Sequence, residues 1–249
     1  MFAWMKSKTA PHAPATDDAD DGDALGAHAS GTISVSGTIT ALKENPRKPG
    51  RYAVHVDGKS VAIVNAAFLH DAKLHVGTVL DELAGDRLLV AARKLEAFDR
   101  AAAALGRRAR SAHELERWLL QRGFDRADVS DAVQRLTELG AIDDSSFARA
   151  FARSRALGKG MSRRRLAQEL SRRGVARPMA DAAIAEVLDE ESVDERALLE
   201  QAARKKLAVL KGQDPDSVKR RLYGYLARRG YNAGDIAVVM KRLLAEEEG

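Results

Sequence analysis

The sequence predicts a mainly α protein: three tandem three-helix repeats in an elongated, curved solenoid, preceded by a small antiparallel β-sheet domain and a disordered N-terminal tail. Three observations carry this expectation. A leucine and arginine–glycine pattern recurs three times in the C-terminal part of the chain. Apolar residues keep a 3.6-residue period from about residue 86 onward, whereas those between 33 and 64 alternate. Residues 1–31 contain aspartates at positions 17, 18, 20, 21 and 23 and little that could enter a core, so they are expected to stay disordered.

The β-rich segment is expected over 32–84. Ile33, Val35, Ile39 and Leu42 lie among threonines and serines, and Asn45-Pro46 to Pro49-Gly50 supplies a turn. Tyr52-Ala53-Val54-His55-Val56 and Val61-Ala62-Ile63-Val64 flank Asp57-Gly58, a strong hairpin signal. A three-stranded antiparallel sheet follows, closed by a short helix at residues 66–71 and a loop through residues 77–83. Leu88, Leu89, Ala92, Leu95, Phe98, Ala102 and Leu105 then form one helical stripe, the mark of a long helix joining the sheet to the rest.

The repeat is Leu-x3-Leu-x2-Arg-Gly followed by an apolar residue. It occurs as Leu115, Leu119, Arg122, Gly123, Phe124; as Leu166, Leu170, Arg173, Gly174, Val175; and as Leu222, Leu226, Arg229, Gly230, Tyr231. Further apolar positions follow each glycine: Val129, Val133, Leu136; Ala180, Ile184, Val187; Ile236, Met240, Leu243. The copies are offset by 51 and 56 residues. Each unit reads as a helix, a second helix ended by a left-handed glycine, and a third helix. The first helices fall at about 86–105, 144–157 and 193–210, and the repeats at 85–141, 142–190 and 191–249. Such units bury one another's apolar faces when stacked.

Composition narrows the function. There is no cysteine, hence no disulfide and no thiolate metal site. No apolar run reaches the ~18–20 residues of a membrane span, and with no cysteine a soluble, cytoplasmic protein without membrane contact is expected; a monomer is expected as well. A net charge of +5 favours an acidic partner. The sequence holds no nucleophile elbow, H-E-x-x-H or dinucleotide fingerprint, and the Gly158-Lys159-Gly160 connection lacks the rest of a phosphate loop; Gly158 reads as a helix stop. Asp143-Asp144 precede a helix and read as caps. His70 and His75 lack metal-pair spacing. Neither an enzyme nor a cofactor or metal is expected.

The charge is concentrated. Between Ser145 and Arg177 lie ten Lys or Arg residues and a single acid, Glu169, giving +9 in this stretch. The repeat itself separates fold from function, because a residue found in every unit serves the fold, while one found in only some is free for another role. Arg122, Arg173 and Arg229 recur in all three units, in the last turn of a helix, where a cation complements the helix dipole. Arg163, Arg164 and Arg165 correspond to Lys219, Arg220 and Arg221, but to Ala112, His113 and Glu114 in the first unit. Arg172 and Arg228 correspond to Gln121. On a helical wheel Arg164, Arg165 and Arg172 point away from Leu166 and Leu170, as Arg220, Arg221 and Arg228 do from Leu222 and Leu226. Arg149 and Arg153 lie opposite Phe147 and Phe151, and Lys159 sits in the following connection. With only Glu169 to pair with so many cations, self-repulsion favours a polyanionic or acidic partner.

The run IDDxxFARAFxRSRxxGKGxxRRxxxELxxRG over residues 142–174, with its two degenerate copies, resembles the RecX family of regulators of the RecA recombinase. The likeness covers about 84–246, and the sheet-forming stretch 33–81 is similar to an N-terminal region that some members carry. It implies tandem three-helix repeats that bind the groove of the RecA nucleoprotein filament, touch single- and double-stranded DNA without sequence preference, and inhibit recombinase, ATPase and co-protease activity in DNA repair and the SOS response. The expected contact residues are Arg149, Arg153, Lys159, Arg163, Arg164, Arg165, Arg172, Lys219, Arg220, Arg221 and Arg228. Two other readings share the basic face: a plain DNA-binding helical repeat, and a scaffold for another acidic protein.

Overall fold

The computed structural model describes residues 34–192 and 194–248; the expected disordered tail at 1–31, Ile33 and Val193 lie outside the described residues. In chain order the elements are β1 (Gly37–Glu44), β2 (Arg51–Val56), β3 (Lys59–Asn65), α1 (Ala66–Asp71), β4 (Val79–Leu80), α2 (Glu82–Arg107), α3 (Ala112–Leu120), α4 (Arg126–Glu138), α5 (Asp144–Lys159), α6 (Arg163–Arg172), α7 (Arg177–Glu190), α8 (Glu195–Leu210), α9 (Pro215–Arg228) and α10 (Ala233–Glu248). They divide into two compact units. One holds the sheet, α1, α2, α3 from Leu115 on, and α4; the other holds residues 108–114 and the described chain from Asp143 onward.

In the first unit the sheet has the order β3-β2-β1-β4. The Asp57-Gly58 hairpin forms as expected, with φ of 47° and 82°, the two positive angles that a type I′ turn needs. The sheet has four strands, however, where three were expected. Val79–Leu80 pairs with Gly37 and Thr38 in what the sequence reads as loop. Ile39 donates to the Thr78 carbonyl (2.9 Å) and accepts from the Gly77 amide (2.8 Å), and Leu80 is buried, so the segment is drawn alongside β1. Two residues are too few for alternation to register.

Ile39, Val54, Val56, Val64 and Leu80 form the sheet's inner face, and Leu88, Leu89, Ala91 and Ala92 of α2 cover it. Arg51 on β2 is joined to Asp99 farther along the same helix at 2.8 Å. The C-terminal half of α2 buries Ala97, Ala101 and Ala104 and packs against α4. The expected boundary at 84/85 therefore falls inside α2, which serves both the sheet and the first repeat.

In the second unit, Phe147, Phe151, Leu166, Leu170, Ile184 and Val187 build one core from α5, α6 and α7. Leu199, Ala203, Leu222, Leu226, Ile236 and Leu243 build the corresponding core from α8, α9 and α10. Asp143 caps α5, its carboxylate accepting from the Ser146 amide at 2.9 Å, as its position before the helix foretold. That hydrogen bond, with a second from the Ser146 hydroxyl, holds the Asp143 carboxyl below the usual carboxylate range. The stop of α5 is Gly160, not the expected Gly158: the helix runs on through Lys159 and ends where Gly160 turns left-handed at φ 58°.

A charge ladder joins first and third helices in each repeat. Lys94 meets Asp131, Arg149 meets Glu186, and Arg153 meets Glu190, each pair 37 residues apart. In the third repeat Glu200 meets Arg242 and Arg204 meets Glu246, each 42 apart. The extra five residues equal the difference between the repeat offsets, so the insertion lies before α9 and the pairing geometry survives it.

Leu170 and Leu226 are fully buried at equivalent positions. Truncation to alanine should destabilise the second unit by about 2–5 kcal/mol each, through lost transfer energy and a cavity. Chemical denaturation would show this; midpoints matching wild type would mean that the inward faces of α6 and α9 are misassigned.

Candidate binding surface

The second unit contains two joints between consecutive repeats, and they share one construction. Ser111 caps α3: its hydroxyl accepts from the Glu114 amide, and Glu114 returns a bond to the Ser111 amide, a capping box. Ser162, 51 residues later, caps α6 and accepts from the Arg165 amide. Both serines are fully buried because the arginine–glycine turn of the next repeat sits on them. The Ser111 hydroxyl donates to the carbonyl of Arg173, and the Ser162 amide donates to the carbonyl of Arg229 at 3.0 Å. Gly174 (φ 79°) lies so near His113 that an added Cβ would stand 2.1 Å from the His113 Cβ; at Gly230 (φ 91°) it would stand 2.6 Å from the Arg165 Cβ.

The recurrent arginines are structural, as the repeat predicted, but for a different reason. Two of them tie repeats together. The Arg173 guanidinium pairs with Glu114 and lies 4.9 Å from the Phe151 ring centre. Arg229 donates to the Lys159 carbonyl at 2.6 Å and stacks 3.5 Å from the Tyr225 ring centre. Arg122 stacks on Trp118, 3.8 Å away. Cross-repeat pairing, not the helix dipole, decides the first two. Tyr231 completes the second joint with a hydroxyl bond to the Gly160 carbonyl at 3.1 Å, and burial holds its phenol well above the ordinary range.

The expected surplus of unpaired charge around Arg149 and Arg153 is not there. Glu186 lies 3.6 Å from Arg149, and Glu190 and Glu191 hold Arg153, so the acids come from α7 and not from the stretch itself. Arg155 is buried with its guanidinium over Phe151, and Arg177 pairs with Asp181. Arg165 is half-buried and bonded to Glu169 at 2.6 Å, beneath Gly230. Arg164 donates to the Gly230 carbonyl at 3.2 Å. These two were expected to point freely outward; the docked turn of the third repeat recruits them instead. Arg221 is exposed and bonded to Gln213, and Arg172 is exposed with Glu169 at 3.4 Å.

Lys159, Arg163, Lys219, Arg220 and Arg228 remain exposed and have no acid partner among the described residues. The joint assembles three of them from separate elements. Lys159 ends α5, Arg163 opens α6 and Arg228 ends α9, and the bonds of Ser162, Arg164 and Arg229 across the joint fix all three ends together. Glu195 also reaches this place, where it accepts from the backbone amide of Arg163 at 3.1 Å. Lys219 and Arg220 continue the positive surface along α9. The third helix of the second repeat, α7, exposes Met179, Ala182 and Ala185 among the acids Asp181, Glu186, Asp189 and Glu190, which repel phosphates and leave little to read base edges. Among the described residues no cluster of three His, Asp or Glu is placed to hold a metal ion, and no helix is long and apolar enough to cross a membrane.

Sequence reading missed Ser111, Ser162, Glu114 and Tyr231 as joint residues. The 51-residue spacing of the two serines was the available signal, as was the 37-residue spacing of the charge ladder.

Family models for the first, second and third three-helix domains of RecX match residues 97–136, 143–184 and 194–240. A protein named Regulatory protein RecX from Mycolicibacterium vanbaalenii is 40% identical over 146 residues, which cover 56% of this chain and 78% of that relative. The protein of the same name from Streptomyces coelicolor is 36% identical over 138 residues, covering 55% and 72%. A crystal structure of a regulatory protein RecX superposes with a TM-score of 0.65 at 20% identity, over 83% of this chain and 100% of the other, a likeness of fold.

The joints predict a graded response to glycine substitution. Gly123 also has positive φ (83°), but an added Cβ there meets nothing within 4 Å. Gly123→Ala should therefore cost only the left-handed strain of about 1–2 kcal/mol, while Gly174→Ala and Gly230→Ala should cost distinctly more through collision with the preceding repeat. Equal losses at all three sites in urea titrations would show that the turns do not carry the joints.

Proposed function

This chain belongs to the RecX family, and on that premise we propose that it is a negative modulator of RecA, which binds the groove of the RecA–DNA filament through its basic repeats and inhibits recombinase, ATPase and co-protease activity. The observation that supports this most is the convergence of Lys159, Arg163 and Arg228 at the joint of the second and third repeats, continued by Lys219 and Arg220. These cations serve no internal pair among the described residues, and placing like charges together is unfavourable without an acidic partner. A filament offers two such partners, protein carboxylates and DNA phosphates. Inhibition of this kind requires no bond-making by the chain, because occupying the groove obstructs the conformational cycle of the filament.

The reading divides the eleven expected contact residues. Lys159, Arg163, Lys219, Arg220 and Arg228 are the primary contacts; Arg172 and Arg221 can exchange a surface partner for a filament one. Arg164 and Arg165 shape the joint, and Arg149 and Arg153 are held by acids of α7.

Titrating the protein into RecA on single-stranded DNA should suppress ATP hydrolysis and strand exchange. Unchanged rates at stoichiometric protein would sink the proposal, while binding to bare DNA without any effect on RecA would favour the plain DNA-binding alternative.

Replacing Arg163, Arg220 and Arg228 together by alanine should leave folding within about 0.5 kcal/mol per site and weaken filament binding strongly. Each lost phosphate contact should flatten the dependence of log affinity on log salt by ~0.9 on duplex or ~0.7 on single strands. Arg164→Ala with Arg165→Ala, by contrast, should lower stability because both residues are built into the joint. Wild-type affinity and slope in the triple variant would assign these cations to solvation only.

A further inference from the structure

Three tyrosines lie close together in the third repeat, and the fold uses two of them. Tyr231 is buried and bonded to Gly160, and Tyr225 carries the Arg229 guanidinium on one side with the Lys206 ammonium 5.4 Å from its ring centre. Tyr223 is different. It is 44% exposed, and among the described residues its hydroxyl has no hydrogen-bond partner and its ring no cation or aromatic neighbour. The repeat shows that the fold does not ask for an aromatic here: the equivalent residue of the second repeat is Ala167, which is buried in that repeat's core. A large ring left in water where its counterpart is a small core residue is an unexplained cost.

The surroundings of this ring are specific. Lys219 and Arg220 precede Tyr223 by one helical turn, on the flank of α9 that borders the side burying Leu222 and Leu226. Ala227, a small exposed residue, follows on the same flank, and beyond it the helix ends in the turn docked on α6, beside Lys159, Arg163 and Arg228. The one acid on this flank, Asp216, stands about 10 Å along the axis from Tyr223 at 1.5 Å per residue, and it pairs with neither cation.

From this arrangement we infer that Tyr223 is a stacking platform for an unpaired base, and that it gives this surface a preference for single-stranded over duplex nucleic acid. The inference rests on the proposed function and deepens it. An exposed aromatic ring beside two cations offers what a single strand presents together: a base face to stack and a phosphate one step away. Duplex DNA keeps its base faces stacked internally, so it can use the cations but not the ring. Phosphate contacts carry the salt dependence of binding, whereas stacking releases no counterions. Tyr223 and Arg220 thus make separable contributions.

The test measures the affinity of a labelled oligothymidylate and of a duplex of equal length at several salt concentrations for the full-length protein and the variants Tyr223→Ala, Tyr223→Trp and Arg220→Ala. Tyr223→Ala should lose roughly five- to hundredfold on the single strand, with duplex affinity and both salt slopes unchanged. Arg220→Ala should lower affinity for both and flatten both slopes. Tyr223→Trp should retain single-strand affinity, and its indole emission should be quenched by the oligonucleotide beyond any change in wild type. Equal losses on both substrates, no loss on the single strand, or an unquenched tryptophan would each overturn the inference. Wild-type protein that binds neither substrate yet inhibits RecA would overturn stacking while sparing the regulatory reading. DNA binding with stacking intact but no effect on RecA would do the reverse.

Discussion

The dependence of the second unit on one contact is its central physical feature: the carbonyl of an arginine just before a left-handed glycine accepts a hydrogen bond from the serine that caps the second helix of the preceding repeat. A helix N-terminus leaves amides without partners, and a helix C-terminus leaves carbonyls without them. Docking one end on the other satisfies both sets. Only glycine permits the turn to approach, since at Gly174 and Gly230 a Cβ would overlap His113 or Arg165. Both joints obey this rule despite different donors, a hydroxyl at Ser111 and an amide at Ser162.

The joint also explains the division of labour among the cations. In the first joint Glu114 neutralises Arg173, so that contact is closed and internally paired. In the second joint Arg165 stands at the position equivalent to Glu114, and the turn is held through carbonyls: Arg229 on Lys159 and Arg164 on Gly230. Neutral acceptors do not cancel charge. The second joint therefore keeps a positive surplus that the first does not, and Lys159, Arg163 and Arg228 add to it. Docking the turn through carbonyls, with Glu195 engaged by a backbone amide and Glu169 by Arg165, thereby leaves a surface suited to an acidic partner.

Elsewhere the surface charge is arranged for the fold. The ladder between first and third helices consists of exposed pairs, each worth at most about 1 kcal/mol. Its contribution is more to register than to stability, since the pairing of first with third helix recurs in each repeat even where one third-repeat pair, Glu200–Arg242, reverses the polarity that Arg204–Glu246 keeps. An acid-poor stretch of sequence was therefore not an acid-poor surface, because α7 returns its glutamates to α5.

Sequence by itself determined the period of the chain, and with it the helical class, the repeat, the inward leucines, the left-handed glycines, the Asp143 cap and the Asp57-Gly58 hairpin. Each of these depends on residues within one or two turns of one another, where local sterics and spacing act directly. Tertiary structure decided what depends on partners far apart in the chain. It added the two-residue strand β4, moved the end of α5 to Gly160, turned Arg164 and Arg165 from free surface into joint, and gave Arg149 and Arg153 their acids. A side chain's direction follows from its helix, but whether it meets water or an opposing carbonyl is set by the element that packs beside it, which here lies tens of residues away.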